Sequence, residues 1–164
     1  MAQNPLILRK EDADNINDTL IGLLKASESK CALLIDQDGK CLAKRGFTKR
    51  LDTDALAALI AGSFASTREM ARLVGETDFT VLFHQGKKDN IHNILVDEAT
   101  ILTVIFDERT TIGMVRLYSK NAAKKMRKTL DKARKHEIKK SEKSEDAKKD
   151  TQKPSTPGRK TPNR

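Results

Sequence analysis

Gly86-Lys87 has the glycine–lysine step that ends a phosphate-cradling loop, and Asp36-Gln37-Asp38-Gly39 opens like a calcium loop. Neither spacing is completed. A phosphate loop needs a second glycine five residues before that Gly and a Ser or Thr after the Lys, but Val81 and Lys88 stand there. The twelfth position of a calcium loop beginning at Asp36 is Phe47, where a bidentate carboxylate is required. Asp38-Gly39 reads instead as a hairpin turn. His84 and His92 lie on consecutive predicted strands and could meet across a hairpin, yet no third ligand is near them in sequence, so no metal site is expected. Cys31 and Cys41 flank the Asp38-Gly39 turn. A two-residue turn sets Cys41 opposite Asp36 and Cys31 opposite Gly46. The thiols are then about 16 Å apart at the usual strand rise, beyond disulfide reach, and Cys31 is expected to be a small buried apolar residue. No Ser-His-Asp set or carboxylate pair follows from spacing. The expectation is a chain with no catalytic residues, no metal and no cofactor.

The elements that would position these residues alternate between two periods. Ile16, Leu20 and Leu24 recur every four residues and predict a helix over 10–28. Short apolar strands are predicted at 31–35 and 41–46 around the turn. A second helix opens at Asp52, a good N-cap, and runs to about Val74, with Gly75 as its C-cap. Strands follow over 79–85, 90–96 and 100–106, and a final helix carries Met114, Val115, Ala122, Met126 and Leu130 on one side. The order α-β-β-α-β-β-β-α predicts an α+β fold with a five-stranded antiparallel sheet.

Charge divides the chain unevenly. Up to Tyr118 there are 15 Lys and Arg against 17 Asp and Glu, a net of −2; from Ser119 onward there are 17 against 6, a net of +11. That excludes a globally cationic nucleic-acid coat and describes a compact domain with a basic extension. The domain is expected over 1–138. Residues 139–164 hold Lys, Ser, Glu, Asp, Thr, Pro and Gly with almost nothing apolar, and are expected to form a disordered basic tail. Leu6-Ile7-Leu8 is too short for a signal peptide, and no apolar run approaches a membrane span, so a cytoplasmic location is expected.

Two surfaces ask for a partner. At 100° per residue, Leu56, Leu59, Ile60, Ser63, Thr67, Met70 and Val74 form the stripe expected to face the sheet. The opposite face carries Ala58, Ala61, Gly62 and Ala65, then Arg68, Glu69 and Arg72. Alanine fills solvated helix positions well. A helical glycine does not, costing about 1 kcal/mol against alanine unless a close approach repays it. The strand at 79–85 bears no full charge and, first in a three-strand meander, should lie at a sheet edge. Such an edge pairs readily with another strand unless it is covered by the same chain.

The element order, with Phe83-His84-x-Gly86-x-Lys88-Asp89, Val104-Ile105-Phe106-Asp107-x-Arg109-Thr110 and Gly113-x-Val115-Arg116-Leu117, resembles the Roadblock/dynein-light-chain family over roughly residues 10–135. The resemblance is to its bacterial members that control polarity and gliding motility. It implies a homodimer with one continuous sheet, paired through Phe79, Val81, Leu82 and Phe83, with the second helices side by side. It further implies activation of an MglA-like small Ras-like GTPase. The dimer would bind the GTP form and reposition the GTPase's own catalytic residues, without donating an arginine finger. The contact implied is the exposed face of the second helix: Ala58, Ala61, Gly62, Ala65, Arg68, Glu69 and Arg72. A cell pole is the implied station, with an acidic or polar-anchor partner for the tail. A Roadblock scaffold that binds a GTPase or polar complex without speeding hydrolysis stays open, as does nucleic-acid association through the tail.

Overall fold

In the computed structural model, backbone is described for residues 6–150 and side chains for residues 6–139. The elements are α1 (Lys10–Ser27), β1 (Cys31–Asp36), β2 (Cys41–Gly46), α2 (Thr53–Leu73), β3 (Val81–Gln85), β4 (Asn90–Asp97), β5 (Thr100–Phe106) and α3 (Ile112–Asp150). The five strands form one antiparallel sheet in the order β2-β1-β5-β4-β3. The predicted element order and sheet are those observed.

β1 and β5 are central and buried on both faces, which is why they read as unbroken apolar runs. Their alternation divides the core in two. Ala32, Leu34, Leu102, Val104 and Phe106 point to α1 and α3, where Ile16, Leu20, Met126 and Leu130 are fully enclosed. Cys31, Leu33, Ile35, Ile101 and Ile105 point to α2 and meet Ala57, Ile60 and Phe64. α2 starts as expected: Asp52 accepts a hydrogen bond from the Ala55 amide at 3.0 Å. It ends as expected too, with Gly75 at φ +81° and the Glu76 amide donating back to the Ala71 carbonyl.

Three expectations need correction. The β1–β2 turn is longer than two residues, spanning Gln37 to Lys40, with the Asp36 carboxylate accepting from the Asp38 and Lys40 amides. A register shift at Leu34/Ile35 sets Cys41 opposite Ile35, while Cys31 does face Gly46; both thiols are free. The first edge strand begins at Val81, so Phe79 precedes it. The final helix does not stop near 138: its backbone continues to Asp150, through a stretch of Lys, Glu, Ala and Ser with no Gly or Pro to break it. The rest of the expected tail, 151–164, lies outside the described residues. No helix among the described residues is long and apolar enough to cross a membrane.

Candidate partner-binding surface

α2 is rotated from its sequence-based orientation. Its buried side is Thr53, Ala57, Ile60, Ala61, Phe64, Thr67 and Ala71. Ile60 and Thr67 face inward as expected, but Ala61 does so as well and is therefore not part of an outer face. Leu59 is 71% exposed, Met70 51% and Leu73 88%. The reason is packing: Phe64 fills the space over the sheet, and small Ala57 lets the helix lie close. Side-chain type alone placed Leu59 and Met70 inside.

Ala58 has a use within the chain. Gly39, at φ +85° in the β1–β2 turn, lies so near that a Cβ there would come within 2.8 Å of the Ala58 Cα. Gly62, by contrast, faces open space. Along the outer side, Ser63 Oγ donates to the Leu59 carbonyl at 2.9 Å and Ser66 Oγ to the Gly62 carbonyl at 3.1 Å. Both hydroxyls are satisfied by the helix itself, which lowers the polarity of a face already bearing Leu59, Met70 and Leu73. The charges expected at its lower end are held locally. Arg68 Nε donates to Asp78 at 3.1 Å, and Arg72 pairs with Glu69 at 2.9 Å. Gly62, Ala65, Arg68, Glu69 and Arg72 are all exposed, as expected.

β3 forms the sheet edge opposite β2, while α2 packs on β1 and β2. β3 pairs with β4 alone and carries no charged residue. Val81 is exposed, Leu82 leans on the α2-side core, and Phe83 stacks on Phe106 with centroids 6.2 Å apart. Sequence reasoning missed the tie that holds the strand in register. Asn93 Nδ2 donates to the Leu82 carbonyl at 3.3 Å, and Asn93 Oδ1 accepts from Thr103 Oγ1 at 2.8 Å, with Asn93 and Thr103 fully buried.

The histidines do not meet. The β3–β4 register sets His84 opposite Ile91 and His92 opposite Phe83, so the two rings lie on opposite faces of the sheet. His92 is enclosed between Phe83 and Val104, and neither ring nitrogen has a hydrogen-bond partner among the described residues. Burial pushes its pKa down to about 4, with the Arg116 charge adding to the effect. Burial also raises the Cys31 thiol to about 11, which makes it unreactive. No cluster of three metal-ligating side chains occurs among the described residues. Of the resembling motif, Asp107 accepts from the Arg109 amide and from Arg109 Nε at 2.9 Å. This closes the turn before α3 and holds the Asp107 carboxyl below its usual range.

A family model, Roadblock/LC7 domain, matches residues 16–106. Among solved structures, MglB of Myxococcus xanthus is 35% identical, with 78% of this chain and 96% of that one aligned at a TM-score of 0.73. An MglB with tetrameric arrangement is 30% identical over 80% and 99%, with a TM-score of 0.76. The gliding protein MglB from Thermus thermophilus is 29% identical over 80% and 99%, with a TM-score of 0.75. No curated protein matches the chain.

Proposed function

The chain belongs to the Roadblock/LC7 family, and from that membership we propose that it is a regulator of an MglA-like small Ras-like GTPase, without an active site of its own. It acts as a homodimer that binds the GTP form and repositions the GTPase's own catalytic residues. The supporting observation is the outer side of α2, where small and apolar residues stay exposed, together with an uncharged sheet edge at β3. Within that surface the roles divide. Leu59, Met70 and Leu73, with β3, form the contact between protomers, paired through Val81, Leu82 and Phe83, with Phe79 leading into the strand. Ala58, Gly62, Ala65, Arg68, Glu69 and Arg72 meet the GTPase, while buried Ala61 supports that surface from within the chain. The arginines act by binding, since Arg68 and Arg72 are committed to Asp78 and Glu69.

Single-turnover GTP hydrolysis by the cognate GTPase tests this, with wild type against Ala65→Arg. Ala65 is exposed, so the variant should keep its circular dichroism and its size in solution. Burying the unpaired guanidinium in the complex should cost several kcal/mol, about enough to abolish a micromolar contact. Wild-type stimulation lost in a folded variant is the expected result. Binding of the GTP form without faster hydrolysis would identify a scaffold instead, and full stimulation by the folded variant would remove α2 from the contact.

A further inference from the structure

Between Ile112 and Lys139, α3 holds ten Lys and Arg and two Asp and Glu. Two of the arginines turn back into the domain: Arg127 Nε donates to the Val96 carbonyl at 2.7 Å, and Arg134 reaches Asp97 and Thr100. Lys124, Lys128 and Lys135 face the other way. Positions 114, 117, 121, 124, 128, 131 and 135 step by three and four and so share one ladder opposite the buried Val115, Met126 and Leu130. Every residue on that ladder is exposed.

A solvated helix face usually alternates charge and so gains pairs four residues apart. Here Lys124 and Lys128 repeat one charge at that spacing, and Asp131, four before Lys135, is the ladder's lone acid. None of these lysines has an ion pair among the described residues. Their mutual repulsion is relieved by a surface of fixed negative charge. The other end of the ladder says which kind. Met114 is 41% exposed and Leu117 54%. Apolar side chains have nothing to gain against a phosphodiester backbone but are buried at a headgroup boundary. The ladder also lacks the arginine forks and aromatic platforms that read nucleic acid.

We propose that this face of α3 docks on an anionic phospholipid bilayer, with Met114 and Leu117 entering the headgroup layer and Lys124, Lys128 and Lys135 lying along the lipid phosphates. α1, in the same layer, presents Glu11, Asp14 and Asp18 to solvent. Those carboxylates are repelled by the same surface, so contact is led from the α3 side.

Flotation of the full-length protein tests this, using phosphatidylcholine vesicles with and without phosphatidylglycerol. Wild type should partition to the anionic vesicles alone and be released by raised salt. Lys124→Glu/Lys128→Glu/Lys135→Glu should lower partitioning by on the order of tenfold or more. The corresponding glutamine triple variant should fall in the same direction and decides the matter if the glutamate variant misfolds. Met114→Ser/Leu117→Ser should also weaken vesicle binding, yet leave any duplex DNA binding unchanged. Three results would overturn the proposal: equal partitioning to neutral vesicles, full binding by the folded triple variants, or tighter binding to duplex DNA than to anionic vesicles at matched salt.

Discussion

The two faces of the sheet are covered differently. On one, α1 and α3 lie side by side, and Ile16, Leu20, Met126 and Leu130 are almost wholly enclosed. On the other, α2 lies alone and leaves Leu59, Met70 and Leu73 largely in solvent. The cause is width. Five strands span about 20 Å from first to last, and a helix with its side chains is about 10 Å across. Two helices cover such a sheet; one covers half. Leu82, Ile91 and Leu95 are accordingly only partly buried on the α2 side, towards the β3 edge. The difference separates apolar residues that fold the domain from apolar residues that the domain leaves in solvent.

The sharpest way to break that comparison is to empty a site on the closed face. Leu130 is fully buried between α1 and the sheet. Leu130→Ala should cost about 3 kcal/mol of stability in urea unfolding, by lost transfer energy and the cavity left behind. A loss no greater than that of an exposed leucine would mean that α3 is not seated as described.

His92 gives a smaller, pH-dependent test of the same face. Its native pKa of about 4 is below the ordinary 6.5, so between those values the unfolded chain binds a proton that the native chain refuses. Stability should therefore fall as pH drops from about 6.5 towards 4, at a slope approaching about 1.4 kcal/mol per pH unit from this group. His92→Phe should flatten that part of the profile. An unchanged slope in His92→Phe would place the ring in contact with water.

How far the sequence reveals this arrangement depends on the range of the interaction. Local signals were legible. Asp52 and Gly75 bound α2, and the β-branched runs locate β4 and β5 to within a residue. The uncharged stretch leading to Gln85 is an edge because three consecutive strands make a meander. Signals that depend on a second element were not. The rotation of α2 is decided by Ala57, Ile60 and Phe64 meeting the sheet, and a helical projection cannot weigh these against Leu59 and Met70. The bulge at Leu34/Ile35 shifts Cys41 by one partner without changing residue types. His84 and His92 part because Gln85 pairs with Asn90, a detail of the loop between β3 and β4. The Asn93–Thr103 tie is between residues ten apart that no motif connects. At the site, the exposure of Gly62 and Ala65 is legible, but Leu59, Met70 and Val74 look like core residues by their chemistry and are exposed.

That stripe carries the smallest expected effect on folding and the most informative one on assembly. Leu59→Ser/Leu73→Ser removes two apolar side chains that α2 already exposes, so the protomer's own stability should change by only about 0.5 kcal/mol, as for other surface positions. Circular dichroism should be unchanged. If the α2 side is completed by a second copy of the chain, sedimentation should nonetheless show wild type as a dimer and the variant as a monomer. Val81→Lys, which charges the β3 edge without touching α2, should do the same. Leu130→Ala reverses the pattern: it weakens the protomer while leaving both association surfaces intact. A dimer that survives Leu59→Ser/Leu73→Ser and Val81→Lys together would place the contact between protomers elsewhere.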